Sequence, residues 1–580
     1  MTLVSHAKGG ALTRRRFVTG AGIWGALVTA GTSPHARAQS PMTGQPAATP
    51  STRFDLGIER LHANMTGHRV RAVGVNGSIP APILRWRQGD TVELNVTNHL
   101  HEDSSIHWHG IRLPAAMDGV PGLSFAGIPP GETFTYRFRL HQSGTYWYHS
   151  HSGFQEQQGM YGAIIIDPRH GETHHYDREY VMVLSDWTDV APADIVSNLK
   201  FDSDYYNFRQ RTVGTLFHDM RHKGISATLH DRLQWGGMNM APTDILDVSG
   251  IIYTYLLNGH SPQANWTGLF GPGERIRLRF INASSMTLFD IRIPGLEMTV
   301  IQADGNEVEP VTIDEFRIGT AETYDVLVTP RGSGPYTIFA QAEDRTGYAR
   351  GTLATRAGVS GPIPPMDPRP LRTMTDMGMG NMDMHTPSSP KSKEMEGMDM
   401  SHMTHDMPAH ATPRLRPGVE VQSIAMMPIN RLAEAGDGLD HNGRRVLTYA
   451  DLRATIAGAD PRPPSREITL HLTGNMQRFI WGFDGKKFSE ADAIRLTLGE
   501  RVRFIVINDT MMEHPIHLHG FWSELENGQG EYRPYKHTII VKPGERLSYL
   551  VTVDEPGMWA YHCHLLYHME LGMFRTVIVS

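Results

Sequence analysis

The sequence predicts an all-β protein of three β-sandwich domains, on three observations. The first is an internal repeat: Gly89–Asn98, Gly273–Asn282 and Gly499–Asn508 each read Gly, acid, apolar residues at every second position, then Asn. Alternation of period two marks a strand with one buried face. The second is that each copy has a further strand-like partner downstream, at Thr133–Phe138, Thr323–Val328 and Arg546–Val551, and then a third, at Gly144–His151, Gly334–Gln341 and Gly557–His564. One β-unit recurring at domain spacing implies sandwiches rather than a solenoid. The third is that helical periodicity is sparse, with Asn430–Ala435 and Tyr449–Ile456 expected as short helices. The 580 residues have room for three or four domains.

In chain order, Thr13-Arg14-Arg15-Arg16-Phe17-Val18 is a twin arginine followed by an aromatic, an uncharged Gly/Ala-rich stretch runs to about Pro34, and Ala36-Arg37-Ala38 offers a cleavage site. Residues 1–38 therefore read as a twin-arginine signal peptide for folded export to the periplasm or cell exterior, with a retained signal anchor as the alternative. No second apolar run has transmembrane length, so no stable membrane span is expected. Residues 39–52, rich in Ser, Pro and Gly, form a linker. The three domains are expected at 53–170, 171–357 and 421–580, with a second, unusually long linker at 358–420. Without the leader, 49 basic residues face 61 acidic ones, a net charge of −12, which argues against a nucleic-acid partner.

Composition narrows the chemistry: 1 Cys, 31 His and 30 Met. A lone cysteine excludes an internal disulfide, a four-cysteine zinc site and a cysteine-held iron–sulfur cluster. Imidazole and thioether suit copper, thioether particularly Cu(I).

The repeat shows where metal ligands belong. Nine residues after Asn98 stands His107-Trp108-His109-Gly110, and nine after Asn508 stands His517-Leu518-His519-Gly520; the middle copy has Ile291 and Ile293 there. The third segments carry His149-Ser150-His151 and His562-Cys563-His564, against Phe339-Ala340-Gln341 in the middle copy. Residues i and i+2 of a strand share a face, so each pair aims two imidazoles at one region. A pseudo-twofold between the first and third domains would gather all eight. His99-Leu100-His101 has no counterpart in the third copy and reads as a chance pair.

A second site is expected only in the third copy. Cys563 points to the opposite face from its flanking histidines, with His568 and Met573 following and His514 three residues before His517. Two His, one Cys and an axial Met form the ligand set of a blue-copper electron-transfer centre. In register, the first copy has Ser104, Ser150, Gln155 and Met160 at these positions and lacks the thiolate. An electron accepted at Cys563 has a short through-bond route to His562 or His564.

At these residues the chain resembles the multicopper oxidases, over essentially the whole mature length. The resemblance implies cupredoxin-like Greek-key domains and four copper ions. The type 1 copper would use His514, Cys563, His568 and Met573; type 2, His107 and His517; the type 3 pair, His109, His149, His151, His519, His562 and His564. Four one-electron substrate oxidations would then be coupled to reduction of O2 to two waters. For proton supply, Asp118 matches the acidic residue the family places near type 2 copper, with a turn Asp before Gly119 as the plain alternative. Some bacterial members carry a carboxylate directly after the last type 1 histidine; here Met569 stands there and Glu570 follows.

Residues 374–407 hold ten Met, with His385, His402 and His405. Ordinary linkers favour Pro, Ser, Glu, Gln and Gly, whereas this run suits extra Cu(I). Scattered Met220, Met238 and Met240 are further copper candidates, with core packing as the plain alternative. The Met-rich run, the leader and Trp147–Gln157 resemble the bacterial copper-resistance subfamily, which implies a periplasmic oxidase of cuprous ion. The rival readings are a laccase-like oxidase of small phenols and a copper-sequestering protein with little turnover. Periplasmic copper carriers and the twin-arginine export machinery are the expected partners.

Overall fold

The computed structural model describes residues 52–379 and 415–580. The twin-arginine leader, nearly all of the first linker and seven of the ten clustered methionines lie outside the described residues. Among the described residues no helix is long and apolar enough to cross a membrane.

Among the described residues the chain is mostly β, with six sheets that pair off along it: two of four strands between Arg53 and Asp167, then a six-stranded and a five-stranded sheet between Arg178 and Ala354, and the same again between Arg466 and Val579. In every copy the repeat strand lies between a parallel and an antiparallel neighbour. Thr91–Asn98 lies between Arg53–Ala63 and Thr133–Arg139. Ile276–Asn282 lies between Arg178–Trp187 and Thr323–Val328. Arg501–Asn508 lies between Arg466–Asn475 and Arg546–Thr552. Parallel neighbours need a crossover, and each time it passes through one strand of the opposite sheet: Ala81–Arg87, Trp266–Leu269 or Ile494–Leu496.

The closing Asn of the repeat is a corner pin. The Asn98 amide donates to the carbonyls of Glu102 and Ile128, and its oxygen accepts from the Leu100 N–H. Asn282 makes the same three bonds with Thr287, Ile318 and Ser284, and Asn508 with Met512, Val541 and Thr510. Hydrogen bonds of this kind offset the desolvation of the buried amide and set the bend that delivers the next strand. In the outer domains that strand carries the histidine pairs.

Several sequence expectations need correction. Asn430–Ala435 is irregular: Asn430 Oδ1 accepts the Leu432 N–H and Glu545 the Arg431 N–H, and a single turn bond, from the Glu434 N–H to the Arg431 carbonyl, follows without extending into a helix. Tyr449–Ile456 supplies only one 3-10 turn, Tyr449–Asp451, closed by a Thr448/Asp451 capping box. Three longer helices lie instead at α1 (Pro192–Phe201), α2 (Val213–Lys223) and α3 (Ile225–Gly237). No residue of α2 is buried, so no apolar stripe announced it. The described part of the second linker is built into the fold: Arg372 is buried beside Glu343, Asp437 and Glu513, and Met377 is 1% exposed.

Candidate metal centre

The two histidine-bearing strands of each outer domain pair side by side in equivalent register. His107 lies opposite His149, and His517 opposite His562. The pseudo-twofold is visible in the rings: His109 stacks on His517 at 3.9 Å between centroids, and the related pair, His107 and His519, lies at 4.0 Å. Their ligand nitrogens converge as three sets, each within 4.8 Å: His107, His109 and His517; His109, His149 and His564; His151, His519 and His562. All eight predicted histidines are thus brought together. The chance pair His99 and His101 is exposed to either side of buried Leu100.

The donor set fits a metal. Nδ1 of His107 is bonded to the Asp118 carbonyl, of His149 to the Ser150 carbonyl and Glu156, of His517 to the His537 carbonyl, and of His562 to the Cys563 carbonyl. The opposite nitrogens of His107, His149 and His517 are buried without a protein partner, as are His109 Nδ1 and both nitrogens of His564. A buried, unpaired ring nitrogen is costly unless something outside the protein satisfies it. Burial, reinforced by neighbouring imidazoles, holds His109, His149, His151, His517, His519 and His564 well below the ordinary imidazole range, and burial pushes His562 down to about 4. These rings are neutral at pH 7, as metal binding requires. Asp118 is buried between the domains, with Oδ2 2.9 Å from His519 Nδ1 and Oδ1 3.2 Å from His107 Nδ1.

The second set is equally formed. Cys563 Sγ lies 3.4 Å from His514 Nδ1 and 3.9 Å from His568 Nδ1, and the two nitrogens are 3.2 Å apart. Met573 is fully buried, and its backbone pairs with Cys563 and His568. The outer nitrogens are held: His514 Nε2 by Thr510 Oγ1 at 2.7 Å and His568 Nε2 by Asp247 Oδ2 at 2.7 Å. Trp481 stacks on His568 at 3.7 Å. Burial pushes the Cys563 thiol up, so thiolate at this position calls for a bound cation.

Family models described as "Multicopper oxidase" match residues 58–171, 178–358 and 461–580. The chain belongs to the multicopper oxidase family. The oxidase is 55% identical to copper resistance protein A of Escherichia coli, over 92% of this chain and 93% of that one. It is 52% identical to copper resistance protein A of Pseudomonas syringae pv. tomato, over 98% and 99%. In fold it is similar to the multicopper oxidase Fet3p (TM-score 0.63, 19% identity, covering 91% and 90%) and to a laccase from Botrytis aclada (0.60, 20%, 92% and 88%).

Sequence reasoning missed the residues behind the histidines. Asp247 and Thr510 orient the Cys563 set, Trp147 stacks on His149 at 4.2 Å, and Glu156 Oε2 lies 2.6 Å from His149 Nδ1. Only the Gln155-Glu156-Gln157 run beside the second histidine pair hinted at the last. Glu570, the carboxylate that follows Met569, is exposed at the end of helix α4 (Leu566–Glu570), and among the described residues no histidine is hydrogen-bonded to it. Met238 and Met240 are partly buried against the core, while Met220 is half-buried on α2. Of the Met-rich run, Met374, Met377 and Met379 pack into or against the core.

Proposed function

We propose that this oxidase is a periplasmic cuprous oxidase that limits copper toxicity, exported folded through its twin-arginine leader. His514, Cys563, His568 and Met573 would hold a type 1 copper, His107 and His517 a type 2, and His109, His149, His151, His519, His562 and His564 a type 3 pair. Copper at these positions would accept electrons singly and pass four of them to O2. The chain itself supplies the link, since Cys563 belongs to one ligand set and its covalent neighbours to the other. Asp118, in contact with histidines from both domains, is the group placed to hold and hand on protons there. His151 is the least buried member of the histidine cluster and lines a cavity of about 620 Å³ with Arg60, Glu102, Asp103 and Phe154, which supports entry of O2 and exit of water on that side.

The observation that carries the choice of substrate is the acidic setting of His568. Its Nε2 is tied to Asp247, whose other oxygen is buried without a partner. Asp244, in the electrostatic reach of Asp204 and Asp247, is pushed well above the carboxylate range by burial and by those neighbours. A carboxyl that burial and neighbouring carboxyls keep protonated gives up its proton when a cation arrives, which supports a cationic electron donor over a neutral phenol. Thioethers support the same reading: Met426 and Met427 are 62% and 59% exposed, and the Met427 N–H donates to the Gly378 carbonyl at the start of the Met-rich run. Oxygen uptake by the copper-loaded protein with Cu(I) as donor tests the proposal. Sustained uptake is expected, and stoichiometric copper binding without it overturns the enzyme reading.

A further inference from the structure

His537 is a ninth histidine at the cluster, with no place in the ligand scheme. It follows the short strand Tyr535–Lys536 and precedes Thr538–Val541, and it is buried. Its backbone carbonyl accepts from His517 Nδ1 at 2.6 Å, and its ring Nδ1 lies 3.2 Å from His109 Nε2. Thr538 Oγ1 reaches the same His109 nitrogen at 3.1 Å. One residue thus occupies the outer nitrogens of two histidines from different domains, the pair whose rings stack on each other. The nitrogens left without protein partners are His109 Nδ1 and His517 Nε2.

What holds His537 comes from the middle domain, which contributes no predicted ligand. Asp304 Oδ2 accepts the N–H groups of His537 and Thr538 at 3.0 and 3.1 Å and lies 3.0 Å from Lys536 Nζ. The same ammonium lies 2.7 Å from Glu322 Oε1. Asp304 is held in turn, its Oδ1 accepting the Thr323 N–H. All of these groups are buried, so the charges are strongly coupled and the geometry is stiff.

Main-chain packing at the junction points the same way. Gly110, which ends the first His-x-His-Gly motif, has φ +79°, and a Cβ there would sit 2.4 Å from His537 Cδ2. A Cβ on Gly144 would sit 2.2 Å from the Gly305 carbonyl oxygen, and one on Gly305 the same distance from the Tyr146 ring. Gly110 therefore lets the backbone close on His537, and Gly144 and Gly305 let the first and middle domains close on each other.

We propose that His537 is a positioning residue through which the middle domain shapes the histidine cluster: Asp304 fixes the 536–538 backbone, the His537 carbonyl orients His517, and its imidazole orients His109. Partners behind metal-bound histidines set ring orientation, and losing one typically costs about 10–100-fold in metal affinity. This inference rests on the copper reading above.

The test is His537→Ala beside His537→Gln, whose side-chain amide can still meet His109 Nε2. Both are loaded with copper, dialysed against a graded chelator, and read by metal content, electron paramagnetic resonance and blue absorption. The expected result for His537→Ala is unchanged blue absorption from the Cys563 set, about 10–100-fold weaker retention of the remaining copper and an altered type 2 resonance. His537→Gln should restore most of both. Retention and resonance equal to wild type in His537→Ala overturn the inference. So does parallel loss of blue absorption in both variants, which marks a general folding role. Failure of the wild-type protein itself to retain copper at the cluster would instead overturn the copper reading.

Discussion

Gln155 stands in the first domain where His568 stands in the third. Met160 donates its N–H to the Gln155 carbonyl and accepts from Ser150, as Met573 does with His568 and Cys563. Where the third domain aims Nδ1 of His568 at a thiol, the first has an amide oxygen accepting from Ser104 Oγ at 2.7 Å and Ser150 Oγ at 2.9 Å. The same backbone frame therefore holds a ligand set in one domain and a closed hydrogen-bond set in the other.

Replacing Gln155 with Ala strands two buried hydroxyls without their acceptor, at a cost of about 1–3 kcal/mol. Chemical denaturation should show that loss while the blue absorption, which belongs to the other domain, stays unchanged. A neutral effect on stability would mean that the serines find other partners.

Asp118→Asn keeps the shape between His107 and His519 but removes the charge facing both. Type 1 bleaching by reductant should remain fast, and reoxidation by O2 should slow by about 10–100-fold. Stopped-flow absorption measures both phases separately, and equal slowing of the two would contradict a role confined to the histidine cluster.

Deletions separate the two parts of the Met-rich run. Removing residues 380–407 should leave the fold intact and lower cuprous turnover while small-phenol turnover survives. Removing 374–379 takes away Met377, 1% exposed, and should cost about 2–5 kcal/mol. Thermal unfolding and oxygen uptake on the two variants distinguish copper recruitment from packing.

The copper-free protein should lose stability as the pH falls below neutrality. In the unfolded chain these imidazoles gain protons near pH 6.5, whereas in the fold burial pushes His537 and His562 down to about 4 and holds His109, His149, His151, His517, His519 and His564 well below their ordinary range. Between those values the unfolded state binds more protons, so each such group lowers stability by about 1.4 kcal/mol per pH unit as pH drops. Denaturation of copper-free protein at pH 7 and pH 5 should show the loss, and an unchanged midpoint would count against these buried neutral rings.

Much of this was readable from the chain alone, because strand alternation is a local property. The period-two repeat located the sheets, and its register assigned Ser104, Ser150, Gln155 and Met160 to the same frame as His514, Cys563, His568 and Met573 before any coordinates. The helices α2 and α3 were not legible, because their apolar residues do not form one buried stripe: Phe217 and Leu233 are 62% and 74% exposed.

By itself the sequence singled out the histidines and the cysteine that the fold brings together as candidate ligand sets, since residue identity and two-residue spacing are written in short motifs. Tertiary structure alone decided what orients them. Asp247 reaches His568 across 321 residues, and Asp304 reaches the His537 backbone across 233. These carboxylates sit in turns and loops whose local sequence has no distinguishing period, and their role exists only once three domains close on one buried cluster. The lone cysteine began as an argument from scarcity, and the fold made it the junction of two ligand sets because its covalent neighbours point the other way.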